Sequence, residues 1–171
     1  MPYSVRQLMP DDTETCIGLR REALDREPFA FLSSPDDDRG LVPSFVREAL
    51  ASQSQATFGA FAPDLVGIVG INRESHLKAA HKAYIWGLYV TPRHRQGGIG
   101  RSLMKAALRF ARELPGVTQV HLGVGERNEV AIRVYESLGF VAWGTEPAAL
   151  RVGGESVAEH HMVLDLSAGA V

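Results

Sequence analysis

Residues 83–90 read AYIWGLYV, residues 91–100 TPRHRQGGIG and residues 101–114 RSLMKAALRFAREL. The first block is apolar and aromatic, long enough for a buried strand and short for a helix. Thr91-Pro92 ends it, because proline cannot donate the next ladder bond. In the third block Ile99, Leu103, Ala106, Ala107, Phe110 and Leu114 recur at helical spacing, with Arg101, Lys105, Arg109 and Arg112 on other faces. Pro115-Gly116 stops that helix. The turn between strand and helix, Arg95-Gln96-Gly97-Gly98-Ile99-Gly100, puts three glycines where the helix begins. The first amides of a helix have no internal partner, and its dipole favours negative charge there. Glycine lets a ligand come close to the backbone. Strand, glycine turn and helix start together describe a phosphate cradle, with Arg93, His94, Arg95 and Arg101 as further donors. The same residues also fit a plain connecting turn.

Two other cradles fail. A P-loop needs a Gly-Lys pair, and the chain has none. The dinucleotide pattern G-x-G-x-x-G meets Leu103 after Gly98 and Gly100, and Asn128 after Gly123 and Gly125.

The turn resembles the acyl-CoA site of the GNAT superfamily of N-acetyltransferases, whose pattern is Arg or Gln, two residues, Gly, one residue, then Gly or Ala. Arg95 to Gly100 match it after an apolar strand and at the start of a long helix. A second element follows: Asn128-Glu129-Val130-Ala131-Ile132-Arg133-Val134-Tyr135-Glu136-Ser137-Leu138-Gly139-Phe140, similar to the family's N-x-x-A-x-x-x-Y-x-x-x-G-F helix. The resemblance covers roughly residues 57–166. It implies an acyl-CoA-dependent N-acetyltransferase that takes acetyl-CoA as co-substrate. It further implies that Gln96, Gly97, Gly98, Ile99 and Gly100 hold the pyrophosphate with Arg95 and Arg101. Backbone groups of Leu88, Tyr89 and Val90 would pair with the pantetheine arm and polarise the thioester. Asn128 would bond the pantetheine, and Tyr135 would also contact the co-substrate, as the general acid. Helix N-cap is the other reading of Asn128, and core aromatic that of Tyr135.

Many family members carry a Glu on the central strand, but Tyr84-Ile85-Trp86 offers no carboxylate. Glu146, Glu159, His121 and Tyr84 remain as base candidates. The acceptor is expected to be a small-molecule amine. A protein or peptide amine is the alternative, as is a non-catalytic acyl-CoA-binding module.

The bulk composition agrees with an ordinary globule. The 171 residues are 45% hydrophobic and 22% charged with a net charge of −2, which gives no global field to recruit nucleic acid. The one cysteine, Cys16, excludes an internal disulfide and reads as a small buried hydrophobe. No apolar run reaches membrane-spanning length and the N-terminus shows no leader pattern, so a cytoplasmic protein without metal is expected. A homodimer is left open.

The rest of the chain predicts, in order, a strand over 3–8 and a helix opened by Asp11 with Glu14 and ended before Pro28. A loop from Glu27 to Leu41 follows. Its Phe29, Phe31 and Leu32 either tuck into the core or wall a substrate pocket, and Asp36-Asp37-Asp38 reads as a solvated turn or cap. A helix over 43–54, a hairpin of strands 57–62 and 65–73, and a polar loop with His76 and His81 precede the central strand. Strand 118–124, the helix from Asn128 with Gly139 as its left-handed cap, and strands 140–145, 149–152 and 157–166 with a Gly153-Gly154 turn complete it, followed by a frayed tail from Ser167. The order β-α-α-β-β-β-α-β-α-β-β describes an α/β (α+β) domain over 1–171. Its mixed, mostly antiparallel central sheet has helices on both faces, and strands 83–90 and 118–124 are parallel.

Overall fold

The structure is a computed structural model, and it describes residues 2–167. Its elements are β1 (Ser4–Gln7), α1 (Thr13–Arg26), α2 (Pro43–Leu50), β2 (Gln55–Phe61), β3 (Leu65–Arg73), β4 (Lys82–Val90), α3 (Ile99–Glu113), β5 (Gln119–Gly125), α4 (Glu129–Glu136), β6 (Val141–Val152) and β7 (Glu155–Asp165). The seven strands form one sheet in the order β1-β2-β3-β4-β5-β7-β6. Every neighbouring pair is antiparallel except β4 and β5, the two strands joined through α3.

Helices cover both faces. Leu103, Met104, Ala107 and Ala111 of α3 pack with Val69, Ile71, Val120 and Leu122 on one face, where Tyr135 and Phe140 also lie. Cys16, Leu19 and Ala23 of α1 and Val46 and Leu50 of α2 pack with Leu65 and Ile68 on the other. Because successive strand side chains point to opposite faces, β3 feeds both cores, and seven of its nine residues are buried.

Several boundaries differ from expectation for local reasons. The first helix starts at Thr13, and its entry is tied by Asp12 rather than by Asp11 and Glu14. The Met9 amide donates to Asp12 Oδ2 (2.8 Å), and the Arg6 guanidinium bonds both oxygens of that carboxylate (2.7 and 2.8 Å). The second helix stops at Leu50 because Ser52 turns the chain, its hydroxyl accepting from the Ser54 amide (3.2 Å). The expected strands 140–145 and 149–152 are one strand, β6. Pro147 is tolerated because β6 is the sheet edge, where a missing donor breaks no ladder. The irregularity is absorbed by a register shift between Glu146 and Leu150 and by Ala148 at φ 50°. Gly153 and Gly154, at φ 58° and 82°, form the expected tight turn. Gly139 at φ 95° caps α4, with the Phe140 amide donating back to the Tyr135 carbonyl (3.1 Å). Of the expected frayed tail only Ser167 lies within the described residues; its amide and hydroxyl both donate to Asp165 Oδ1.

Candidate active site

β4 and β5 pair only at Lys82–Gln119, Ala83–Val120 and Tyr84–His121. Beyond those residues the two strands run on without a ladder between them, so the sheet is split at its centre. β4 is also kinked there. Its register against β3 shifts between Tyr89–Ile68 and Trp86–Gly70, and Gly87 takes φ +67°. A β-branched or bulky residue at such a φ would be strained. A cavity lies on each side of the split.

The first, of about 500 Å³, is lined by Leu88, Tyr89 and Val90 of β4, by the turn and first residues of α3, and by Asn128, Ala131 and Val134 of α4. The turn is built for close approach. Gln96 (φ 66°) and Gly98 (φ 79°) are both left-handed, and a non-glycine residue in that region costs about 1–2 kcal/mol. A side-chain carbon added at Gly97 or Gly100 would meet nothing nearer than 3.8 and 4.0 Å, so those backbone faces are open. The first intrahelical bond runs from the Ser102 amide to the Gly98 carbonyl (3.0 Å), leaving the preceding amides for a ligand. This arrangement fits the phosphates of an acyl-CoA.

Ten of the twelve residues expected to bind the co-substrate line this cleft: Leu88, Tyr89, Val90, Arg95, Gln96, Gly98, Ile99, Gly100, Arg101 and Asn128. Gly97 and Tyr135 do not. Tyr135 is 6% exposed and packs on Phe140, with ring centroids 6.0 Å apart. Its hydroxyl makes no hydrogen bond among the described residues, and burial pushes its pKa up, so the phenol stays protonated at neutral pH. Arg95 is already engaged, donating from Nε to the Val90 carbonyl (2.9 Å) and from Nη2 to Glu27 (2.6 Å). Arg101 has no such partner and is the freer cation. Asn128 is an N-cap, its side-chain oxygen accepting from the Ala131 amide (3.2 Å), which leaves its NH₂ group unspent.

The second cavity, of about 570 Å³, lies over β3, β4 and β5 beneath α1 and α2. It shares Ala30 and Phe31 with the first, so the loop after α1 walls both. Phe29 faces only the first, and Leu32 is 85% exposed. Of the four base candidates only Glu159 of β7 lines the second cavity. Its carboxylate crosses the bare face of Gly123, where an added carbon would overlap it. His161 Nδ1 is 3.9 Å from Glu159, and His161 Nε2 is 3.3 Å from Glu146. Tyr84 and His121 stack on each other (5.5 Å) away from the cavity, and burial with nearby Lys82 and His81 lowers the His121 pKa. Glu146, Glu159 and His161 bring their ligand atoms within 4.8 Å of one another, a group absent from the metal-free expectation; Glu146 is exposed. Cys16 also faces this cavity, but burial pushes its thiol up to about 11, unlike an activated nucleophile.

Sequence reasoning did not find Arg20, which contacts Asp38 twice, through Nε (2.8 Å) and Nη2 (2.6 Å). Asp38 is therefore a buried ion-pair partner rather than a solvated turn residue, and it is the cap that the sequence offered as the other reading, its side chain accepting the Gly40 amide at the start of the turn 39–41.

A strand-split sheet with a glycine-turn cleft on one side and a second cavity on the other defines the class of GNAT-fold proteins. The acetyltransferase (GNAT) family model matches residues 18–140, and the chain belongs to that family. It is 45% identical over 65 residues to a mycothiol acetyltransferase of Nocardiopsis dassonvillei, covering 38% of this chain and 19% of that protein. It is 35% identical over 103 residues to a streptothricin acetyltransferase of Streptomyces lavendulae, covering 60% and 52%. The chain thus spans about a fifth and a half of these relatives. Among solved structures, a GNAT-family acetyltransferase of Streptococcus pneumoniae superposes with TM-score 0.84 at 20% identity, covering 96% of this chain and 99% of that one. A Salmonella typhimurium structure solved with its cofactor acetyl-CoA also gives 0.84, at 20% identity, covering 97% and 95%. No helix among the described residues is long and apolar enough to cross a membrane.

Proposed function

We propose that the chain transfers an acetyl group from acetyl-CoA to a primary amine of a small molecule, by direct attack of the amine in a ternary complex. The observation that carries this reading is the split between β4 and β5, with one cavity on each side and the Phe31 wall common to both. Family membership and the names of the two relatives, both acetyltransferases, support it.

Acetyl-CoA supplies an activated thioester. Gly98, Ile99, Gly100 and Arg101 would hold its phosphates through free backbone amides and one unpaired guanidinium. The open edge of β4 at Leu88, Tyr89 and Val90 would take the pantetheine arm as an added strand, and the NH₂ of Asn128 would bond it. A backbone amide of that edge would stabilise the charge that develops on the carbonyl oxygen. An alkyl ammonium has a pKa near ~10.4 and must lose a proton to attack. Glu159, which lines the second cavity, would hold the ammonium and receive that proton. The departing sulfur would take a proton from Tyr135, the role the family resemblance gives it, although the ring packs behind the cleft and does not line it.

The test is release of free CoA from acetyl-CoA with a panel of amines widened to peptides. Turnover of small amines over peptides supports the reading. Peptide-selective turnover replaces the acceptor class. Tight acetyl-CoA binding with no turnover by any amine makes the chain a binding module.

A further inference from the structure

The second cavity holds a donor with nothing to donate to. The guanidinium of Arg20 spends Nε and Nη2 on Asp38, Phe31 lies over its plane at 4.9 Å, and its side chain is 10% exposed. Its Nη1 is buried and has no hydrogen-bond partner, alone in this among the buried side-chain nitrogens and oxygens of the described residues. A buried unpaired donor loses its water without replacement, which is costly for a charged group. Nη1 lies against Gly87, since a carbon added there would sit 3.3 Å from it. Gly87 is the bulge residue of β4, at the mouth of the split where the amine must approach.

The charges around the cavity fall into two kinds. Asp38 is consumed by Arg20 and the Gly40 amide, whereas Asp37 gives only Oδ1 to the Ser34 amide and hydroxyl. Among the described residues, Arg39 lies over the Phe45 ring (4.2 Å) with no ion pair, and Glu159 has only the looser contact with His161. The unspent groups are therefore two cationic, Arg20 Nη1 and Arg39, and two anionic, Glu159 and the second oxygen of the exposed Asp37. That set complements a zwitterion. The remaining wall is mainly apolar, with Phe31, Phe45, Val46, Leu50 and Trp86, and Gln55, Thr57 and Asn72 add neutral polar groups.

Resting on the transferase reading above, we infer that the acceptor is an α-amino acid with an apolar side chain. Its carboxylate is bonded by Arg20 Nη1, its ammonium faces Glu159, and its side chain fills the space beneath α1 and α2. Asp38 is the positioning residue that fixes the guanidinium. Phe31, which covers it, yields to admit the carboxylate.

The experiment compares L-phenylalanine, L-phenylalaninamide and phenethylamine as acceptors for the full chain, by CoA release and by calorimetric binding to the CoA-loaded protein. A charge-assisted hydrogen bond predicts kcat/KM for phenylalanine ~10–100-fold above phenethylamine, with the amide between. In Arg20→Gln the ratio of acid to amine should collapse toward unity, and calorimetry should lose the same preference. Equal or better use of phenethylamine by the wild type overturns the inference while leaving the transferase reading intact. Equal use of the amide also overturns it, because a neutral oxygen would then suffice. Absence of turnover with every amine, acetyl-CoA still binding, overturns the transferase reading and this inference with it. The ligand comparison needs no variant, so it decides the matter even if Arg20→Gln does not fold.

Discussion

At the scale of the residue, two proton carriers are assigned to opposite ends of one transfer, and they should fail differently. Glu159→Gln keeps shape and removes the acceptor of the ammonium proton. Loss of a general base costs ~10²–10⁴ in rate, and the variant should recover activity as pH rises and the free amine fraction grows. A flat pH profile in the variant would remove Glu159 from that role. Tyr135→Phe removes only a hydroxyl. Thiolates, with conjugate acids near pKa ~8.5, leave tolerably without help, so its cost should fall at the low end of the same ~10²–10⁴ range. Stability should barely change, since the ring keeps its contact with Phe140 and the hydroxyl bonds nothing. Wild-type turnover of Tyr135→Phe, measured where chemistry limits the rate, would make it a core aromatic. Asp12 is one of the residues that contribute to the acid limb of stability. The Arg6 guanidinium bond and then the Met9 amide hold Asp12 down at about 2 from 3.8. A carboxylate with a depressed folded pKa stabilises above its unfolded pKa, and the contribution is lost as pH falls through the folded one. Because Arg6 is half exposed and the pair is screened by solvent, Asp12→Asn should cost no more than about 1 kcal/mol at neutral pH. The gap between variant and wild-type melting temperatures should close between pH ~4 and ~2.

At the scale of the element, the turn into α3 shows what a sequence discloses. Arg95 to Gly100 are contiguous, so their chemistry and their place at a helix start could be read directly; Gly98 as the left-handed N-cap follows from the same run. A Gly100→Val substitution should fold normally, because the added carbon has 4.0 Å of clearance, and should abolish acetyl-CoA binding by filling the face where the phosphates approach. Arg101→Ala should raise the KM for acetyl-CoA more than Arg95→Ala does. Arg95 is spent on Val90 and Glu27, and its loss should instead loosen the loop after α1. Unchanged calorimetric affinity in a folded Gly100→Val protein would displace the cradle. The acceptor side could not be read this way. Arg20 meets Asp38 across 18 positions and a loop with no periodicity. Glu159 reaches the cavity only because β7 pairs β5 with His161 opposite Gly123, a register that no local pattern encodes. Pro147 predicts a break in strand β6, because nothing in the chain announces which strand is the sheet edge, and only there is the missing donor harmless.

At the scale of the whole molecule, the sheet is one unit held on both faces yet unzipped along its middle. The pairs β2–β3 and β5–β7 each keep a full-length ladder, while β4–β5 keeps three pairs at one end. The two halves of the sheet are therefore joined by that short ladder, by α3 crossing between them, and by whatever lies in the cleft. A co-substrate that bonds the open edge of β4 and also touches α4 spans both halves, so its binding should stabilise the entire fold. With ligand at 100 times its dissociation constant the gain is about 2.7 kcal/mol, or roughly 5–10 °C in melting temperature for a chain of this size. Hydrogen exchange should slow at residues 85–90 and 97–101 on adding acetyl-CoA. Amides within the β2–β3 ladder should slow only by the global amount, because their partners are already in place. Gly100→Val should lose both the local protection and the thermal shift while melting near the wild-type temperature without ligand. Protection spread evenly over all strands, with nothing extra at the open edge of β4, would mean that the arm of the co-substrate does not pair there, whatever the cradle binds.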